Sequence, residues 1–378
     1  MNFLAKTFLG LEQVLADELK DIGAENIRVG NRVVHFSGNQ EVLYKANMYV
    51  RCALRILVPI LNFKARNEQE LYNAVYQYTW NQHIATHDTI AIDSVVNSKF
   101  FKHSKYIALK CKDAIVDQFR DITGKRPSVD VQNPSIRINV HISEDRCAIS
   151  LDSSGESLHK RGYRKEKGIA PINEVLAAGM IKLSGWKGDT NFVDPMCGSG
   201  TILIEAAMIQ KNIYPCALRN DYGFMHWNDF NKELYQQIKV KARLKQGKLT
   251  IFGADSSVKA LKCTGTNISQ IQDIDGIELK SSDIIDYVPP EGGGIVVTNP
   301  PYGERMGDED LYHFYSLIGD SLKKAYAGYD VWIISSNMDA IKQIGLHASK
   351  TITLFNGPLK CKFQKFQIYE GSMKKNKK

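Results

Sequence analysis

The octapeptide TNPPYGER, residues 298–305, carries the most specific chemistry in the chain and directly follows the apolar run GIVV. Two consecutive prolines remove backbone donors and fix φ, so Asn299 and Pro300 must lie in a rigid loop at a strand end. There an amide oxygen and the Pro300 carbonyl can together accept both hydrogens of a planar exocyclic amine. Tyr302 can stack on the ring that bears it. Such an amine is a weak nucleophile because its lone pair is delocalised into the ring. Acceptors that favour pyramidalisation help it attack an electrophilic methyl group as positive charge develops on nitrogen.

A second motif, FVDPMCGSGT at 192–201, ends an apolar strand in Asp194, turns through glycines and continues as the helical run ILIEAAMIQ. Gly198 and Gly200 allow close backbone approach, and the helix start offers free amides. In open α/β sheets ligands bind at such strand ends. The spacing is neither G-x-G-x-x-G nor that of a phosphate loop. Asp255 closes the strand LTIFGAD, where a carboxylate can accept both hydroxyls of a ribose. Asp283, in SSDIID after an expected third strand, is placed to hold the exocyclic amine of an adenine. Either acid alone also fits a helix N-cap. Three acidic strand ends in chain order point instead to one binding edge.

These motifs need a scaffold, and the pattern from about residue 170 supplies one. Pro171 is expected to open a helix whose Ile172, Val175, Leu176, Gly179, Met180 and Leu183 share a stripe. Strands follow at Asn191–Asp194, Leu249–Ala254, Gly294–Thr298 and Val331–Ser335, with helical pattern mostly between them. That alternation means a parallel sheet covered on both faces. ITLFNG and LKCKFQKFQIY flank Asn356-Gly357, so an antiparallel hairpin closes the sheet. The first third reads differently. Leu11, Leu15, Leu19 and Ile22 share a helical face that stops at Gly23, ENIRVGNRVVHF is strand-like, a helix runs near Gln40–Tyr49, and Ala53–Phe63 is extended. This βαββαβ order predicts a ferredoxin-like module. A second unit has a helix near Glu68–Tyr78, a strand at Thr89–Val96, a helix near Tyr106–Arg120, and a hairpin turning at Glu144-Asp145.

With 378 residues, 43% hydrophobic and 24% charged, the chain is an ordinary globular protein of two to three domains. No apolar run reaches the ~18 residues of a membrane span, and MNFLAKTFLGLEQ reads as amphipathic rather than as a secretory leader. Seven scattered cysteines without a CxxC pair fit a reducing cytoplasm and argue against disulfides or structural zinc. The nine histidines show no metal-spaced pair; His83, His87, His103 and His141 read as surface or structural.

The formal charge is +8, and its placement matters more than its size. Residues 99–112 hold five lysines, Lys99, Lys102 and Lys105 among them, and no acid, interleaved with Phe100, Phe101 and Tyr106. Residues 159–168 include Lys160, Arg161 and Arg164 with Tyr163, and the chain ends in KKNKK. Basic clusters with aromatics suit a phosphate backbone with stacked bases. Each alone also fits a solvated face. Two on one chain favour nucleic acid, and the stretch SSGESLHKRGYRKEKG reads as an interdomain linker.

VDPMCGSG, the later acids and NPPYGER resemble the motifs of class I S-adenosylmethionine methyltransferases acting on planar amino groups. With APINEVLAAGMIKLSGW, HKRGYR and SKFFKHSKYIALKCKDAIVDQF, nearly the whole chain is similar to the THUMP-domain RNA methyltransferases of the bacterial 23S rRNA guanine-N2 (RlmL-like) group. Some of these carry a second, fused methyltransferase that this sequence does not include. The resemblance implies a ferredoxin-like module over 1–63, a THUMP RNA-binding domain over 64–155, a basic linker over 156–170, and a seven-stranded Rossmann-like methyltransferase domain over 171–378. It implies S-adenosylmethionine as cofactor, with Asp194, Cys197, Gly198, Ser199, Gly200 and Thr201 at its methionine end, Asp255 at the ribose and Asp283 at the adenine. Asn299 borders the cofactor and, with Pro300 and Tyr302, would hold a target guanine that must be flipped out of its stack. RNA contacts would come from Lys99, Lys102, Lys105, Lys160, Arg161 and Arg164. No obligate protein partner is expected.

Cys197 invites a covalent mechanism of the pyrimidine-C5 kind, but those enzymes place their nucleophile near the motif held here by NPPY. A small loop residue is the better reading. The substrate is expected to be 23S rRNA; tRNA keeps the chemistry and changes the target. DNA adenine and protein glutamine methyltransferases also use NPPY-type loops. Against them stand the lack of a target-recognition segment after the catalytic half and about 155 preceding residues that would have no role. A non-catalytic ribosome-assembly factor on a relic fold is the contrasting class. The segment Lys211–Lys248, with HWNDF and KVKARLK, fits packing, RNA binding or both.

Overall fold

The structure is a computed structural model that describes residues 1–166, 171–240, 244–302 and 307–369. Its N-terminal half is one sheet. Strand β1 (Asn2–Lys6), helix α1 (Glu12–Asp21), β2 (Glu25–Val29), β3 (Val33–Ser37), α2 (Gln40–Tyr49) and β4 (Arg55–Lys64) realise the βαββαβ order. Then come α3 (Glu68–Gln77), β5 (Thr89–Asn97), α4 (Ser104–Thr123), β6 (Ser128–Val129), β7 (Ile136–Ser143) and β8 (Arg146–Asp152). The strand order is β2-β3-β1-β4-β8-β7-β5-β6, so β4 joins the two expected modules edge to edge. Its antiparallel register with β8 runs from Leu57 opposite Asp152 to Lys64 opposite Arg146. The register shifts between Pro59 and Leu61, where proline offers no amide to the ladder. The expected division at residues 63 and 64 therefore falls at the end of one shared strand.

The C-terminal half builds α5 (Glu174–Ser184), β9 (Asn191–Asp194), α6 (Thr201–Gln210), α7 (Lys232–Val240), β10 (Ile251–Asp255), α8 (Val258–Ile268) and β11 (Glu278–Ser281). It continues through β12 (Gly294–Thr298), α9 (Asp308–Ala325), β13 (Tyr329–Ser335), α10 (Met338–Lys342), β14 (Lys350–Asn356) and β15 (Leu359–Gln367). The strand order is β11-β10-β9-β12-β13-β15-β14. The first five strands are parallel, and β15 pairs antiparallel with both β13 and β14. Alternate residues face two cores. Phe192, Val297, Trp332 and Ile334 pack with α5 and α6, whereas Val193, Val296, Val331 and Ile333 pack with α9.

Two sequence expectations change, and one left open is answered in part. Helix α5 starts at Glu174, not at Pro171, because the Asn173 side chain accepts the Val175 amide at 2.9 Å and takes the N-cap position. The stretch expected to be a basic, RNA-binding interdomain linker is largely interior: Ser153, Ser154, Leu158, Arg161 and Tyr163 are buried. Part of the Lys211–Lys248 segment packs. Cys216, Tyr222, Phe224, Tyr235 and Ile238 join the ferredoxin-like core around Tyr44. Phe224 stacks on Tyr44 with ring centroids 4.3 Å apart, and Tyr44 Oη accepts the Asn231 amide at 2.9 Å. Residues 241–243 lie outside the described residues, as do the terminal lysines.

Because Phe224 comes from the C-terminal half and fills the core of the N-terminal half, its loss unseats both. Replacing Phe224 with alanine is expected to destabilise the protein by about 3–5 kcal/mol, read as a fall in urea midpoint.

Candidate active site

Parallel pairing brings the ends of β11, β10, β9 and β12 side by side, with Gly253 opposite Asp194 and Asp255 opposite Ser281. Between β9 and α6 the chain turns through Gly198 and Gly200, at φ of 57° and 79°, a region that L side chains rarely adopt. A Cβ on Gly200 would meet Thr264 Cγ2 at 2.6 Å, whereas a Cβ on Gly198 would point into open space. The loop is held from below. Cys197 N donates to the Ala254 carbonyl at 2.9 Å, Thr264 Oγ1 to the Gly198 carbonyl at 2.7 Å, and Asn267 Nδ2 to the Ser199 carbonyl at 3.1 Å.

Asp194 is buried. Its Oδ1 accepts Thr298 Oγ1 at 2.8 Å and the Met196 amide at 3.2 Å, tying the end of β9 to the end of β12. No hydrogen bond to Oδ2 occurs among the described residues, so one oxygen is left for a ligand. Burial pushes the carboxyl up to about 7, against those two hydrogen bonds. Asp255 accepts the Gly198 amide at 2.9 Å on Oδ2 and the Ser257 amide at 2.9 Å on Oδ1, so it shapes the loop while standing at its edge. Asp283 accepts the Ile285 amide at 3.1 Å, in the turn that follows β11. Burial, then the nearby Asp194 and Asp255 charges, drive the Cys197 thiol well up. A thiol so held is a poor nucleophile and suits the small-residue reading.

Asn299 and Pro300 follow β12 directly, beside the β9 loop. Tyr315 Oη donates to the Pro301 carbonyl at 3.1 Å and anchors the proline turn. Tyr302 donates its hydroxyl to Asn299 Oδ1 and packs against the core of α5 and α6. The amide oxygen expected to hold an amine is thus satisfied by tyrosine, and an incoming amine must share or displace that contact. Gly303, Glu304 and Arg305 lie outside the described residues.

The basic residues separate into two groups. Lys99, Lys102 and Lys105 are exposed where the chain enters α4, next to Tyr106 and Leu109, which are 49% and 56% exposed. Phe101 is buried, so it offers no face to a base. Lys160 is exposed and paired with Glu156. Arg161 is 1% exposed and Arg164 is largely covered, which corrects their expected contact with phosphates. Arg161 Nε lies 3.4 Å from Glu205 of α6, and its Nη1 donates to the Leu158 carbonyl at 2.7 Å. Arg164 Nε donates to Glu174 at 2.8 Å, its Nη1 to Ser199 Oγ at 3.3 Å, and its Nη2 to Thr201 Oγ1 at 3.0 Å and the Ile172 carbonyl at 3.1 Å. Arg164 fastens the linker to the glycine loop, and Arg161 fastens it to α6.

Sequence reasoning missed Thr298, Thr264 and Asn267 as supports of that loop. Thr298 heads the NPPY motif and was open to reading. Thr264 and Asn267 sit at i, i+3 on a helix with no local signal.

A parallel sheet of this order, finished by an antiparallel hairpin and opening its strand ends onto a glycine-bent loop, defines the class I S-adenosylmethionine-dependent methyltransferases. Residues 2–57 match the RlmL ferredoxin-like domain, residues 65–152 the THUMP domain, and residues 161–365 the RMKL-like methyltransferase domain. A putative RNA methyltransferase of Synechocystis sp. is 35% identical over 371 residues, 97% of each chain. A ribosomal RNA large subunit methyltransferase K/L of Shewanella amazonensis is 36% identical over 99% of this chain, which spans 54% of that relative's length. The crystal structure of a putative methyltransferase complexed with SAH is similar at a TM-score of 0.87 and 29% identity, covering 98% of this chain and 99% of that one. The chain belongs to the RMKL-like methyltransferase family, and S-adenosylmethionine is its cofactor. The open space at Gly198 and the uncommitted Asp194 oxygen fit that group. Among the described residues there is no cluster able to hold a metal, and no helix is long and apolar enough to cross a membrane.

Two tests follow from the loop supports. Burial holds the Asp194 carboxyl at about 7 in the fold, well above its ordinary value, so the folded state prefers its proton. Stability from this group is full below the unfolded value and is lost as pH rises through about 7. The urea midpoint should fall between about pH 4 and pH 7 and level off above, and Asp194→Asn should flatten that fall. Arg164→Lys, which cannot reach Ser199, Thr201 and Glu174 together, should weaken S-adenosylmethionine binding roughly tenfold, about 1.4 kcal/mol, measured by calorimetry.

Proposed function

We infer that the protein transfers the methyl group of S-adenosylmethionine to the exocyclic N2 of a guanosine in RNA, with 23S rRNA as the substrate. The observation that carries this reading is the placement of Asn299-Pro300-Pro301-Tyr302 at the end of β12, next to the glycine loop after β9. Bound cofactor supplies an electrophilic methyl at a sulfonium; the protein's share is to position and polarise. Asn299 Oδ1 and the Pro300 carbonyl accept the two amine hydrogens, which draws the nitrogen lone pair out of conjugation. Tyr302, leaving Asn299, covers the base face.

Asp194, Cys197, Gly198, Ser199, Gly200 and Thr201 border the methionine end of the cofactor in this reading, Asp255 its ribose and Asp283 its adenine, with Asn299 at the methyl side. Lys99, Lys102 and Lys105 are left to meet phosphates, because Lys160 is paired with Glu156 and Arg161 and Arg164 are engaged inside. The THUMP match and the relatives' names support RNA over DNA or protein, and the K/L name supports the large ribosomal RNA. A guanine amine in a helix is hidden, so the base must flip out.

The test is tritium transfer from labelled S-adenosylmethionine into total RNA from a strain lacking the gene, followed by nucleoside chromatography. Label in N2-methylguanosine of the large rRNA is expected; label in tRNA would move the target, and label in another nucleoside would overturn the chemistry. Asn299→Ala should lower turnover by roughly 10²-fold with RNA affinity nearly unchanged. Equal turnover would remove the role assigned to Asn299.

A further inference from the structure

A cleft of about 860 Å³ opens where the two halves meet, and none of the residues assigned above to cofactor or target lines it. That volume lies at the upper end of the ~300–1,000 Å³ of ordinary ligand sites. Its walls come from every part of the chain: Phe8 after β1, Asn133 before β7, the linker at 156–164, the segment 218–221, and the turn Asn356-Gly357 between β14 and β15. The turn places it beside the catalytic loop, because the Asn356 side chain lies against the Tyr302 hydroxyl. The cleft thus adjoins the loop that carries Asn299 and Tyr302.

The lining chemistry selects the occupant. The side-chain amides of Asn133 and Asn220, from the N-terminal and catalytic halves respectively, face the cleft region exposed and make no hydrogen bond to the described residues. A free carboxamide presents one donor and one acceptor side by side, which is the complement of a nucleobase edge. Lys160 is neutralised by Glu156 and Arg164 by Glu174. Arg219 is different: its guanidinium donates to the carbonyls of Ser154, Glu156, Ser157 and Asp221 and pairs with no carboxylate among the described residues. Its guanidinium is rigidly held in the wall by those carbonyls, 4.9 Å over the Tyr222 ring, and shares the lining with Asp221, whose carboxylate binds His226. Phe8 and Leu218 add apolar surface for a base face. One fixed cation, two free amides and an apolar wall fit an unpaired nucleotide better than a duplex, which would need a row of cations.

We propose that this cleft is a reading subsite for the unpaired nucleotide next to the target guanosine, with Asn133 and Asn220 on its base edge and Arg219 near its phosphate. The inference rests on the RNA methyltransferase reading and adds a determinant of which guanosine is chosen. Since Arg164 lines the same cleft and holds Ser199 and Thr201, a filled subsite touches the cofactor loop through a single side chain.

The experiment uses the full chain and large-subunit RNA from a strain lacking the gene, prepared with 4-thiouridine and irradiated on the protein. Crosslinks are expected in the peptides around Asn133 and Asn220; crosslinks confined to the α4 surface would overturn the subsite. In parallel, the double variant Asn133→Ala/Asn220→Ala is assayed on RNA randomised beside the target. It should lower kcat/KM for the preferred sequence at least tenfold, erase the preference at one neighbouring position, and leave S-adenosylmethionine affinity unchanged. An unchanged preference with normal methylation overturns the subsite and leaves the function standing. Failure of the unaltered protein to methylate any RNA overturns the function, and the crosslink pattern then decides the cleft by itself.

Discussion

The arrangement of the two halves depends on one buried ion pair. Glu205 is fully buried on α6, the helix that begins at the glycine loop, and Arg161 of the linker is its counter-charge. Burial pushes the Glu205 carboxyl up, while Arg161 and then Arg51 pull it down. Tyr163 adds a hydroxyl at 3.1 Å, and Arg161 also donates to the Arg51 carbonyl in the ferredoxin-like module. A pair of this kind contributes little net stability relative to an apolar substitute, because desolvation offsets the Coulomb gain. Its effect is positional. Neither charge tolerates loss of the other, so the linker can occupy one place only, and that place lies against both the N-terminal core and the start of α6.

From that fixed point the linker runs directly to the cofactor loop. Three residues after Arg161, Arg164 spans Glu174, Ser199 and Thr201; one and two residues further, the Lys165 and Glu166 amides donate to Asn267 Oδ1. Asn267 in turn donates to the Glu166 and Ser199 carbonyls. The Gly198–Thr201 loop is thus braced by side chains from the linker and α8, which it needs because left-handed glycines supply freedom but no rigidity of their own. The start of α6 is thereby held still from both the linker and α8.

Most of the architecture was readable in the chain, because apolar period and turn residues act locally. The βαββαβ order, the hairpin at Glu144-Asp145, the alternating catalytic half and the Asn356-Gly357 hairpin all rest on such signals. The acids at three strand ends and the NPPY turn were readable for the same reason. What failed was long-range. Arg161 and Arg164 look like their exposed neighbour Lys160 in sequence, and only Glu205 and Glu174, 44 and 10 residues away, turn them inward. Likewise Asn173 took the cap that Pro171 was expected to set, since a side-chain acceptor competes for the amide where proline only presets φ. Phe224 and Tyr235 gave no sign that their core lies in the other half.

The strand order explains why the glycine loop and the proline loop meet at all. Chain order runs from β9 outward to β10 and β11, then returns to place β12 on the other side of β9. At that reversal the loops after β9 and β12 leave the sheet in opposite directions and open a crevice between them. Asp194 and Thr298 close its floor with a 2.8 Å hydrogen bond, so the glycine loop and the proline loop share one hinge point. A two-proline turn suits this position because it cannot fold back into a helix and bury the crevice. Rigid attachment of the glycine and proline loops to neighbouring strands fixes their relative position before any ligand arrives.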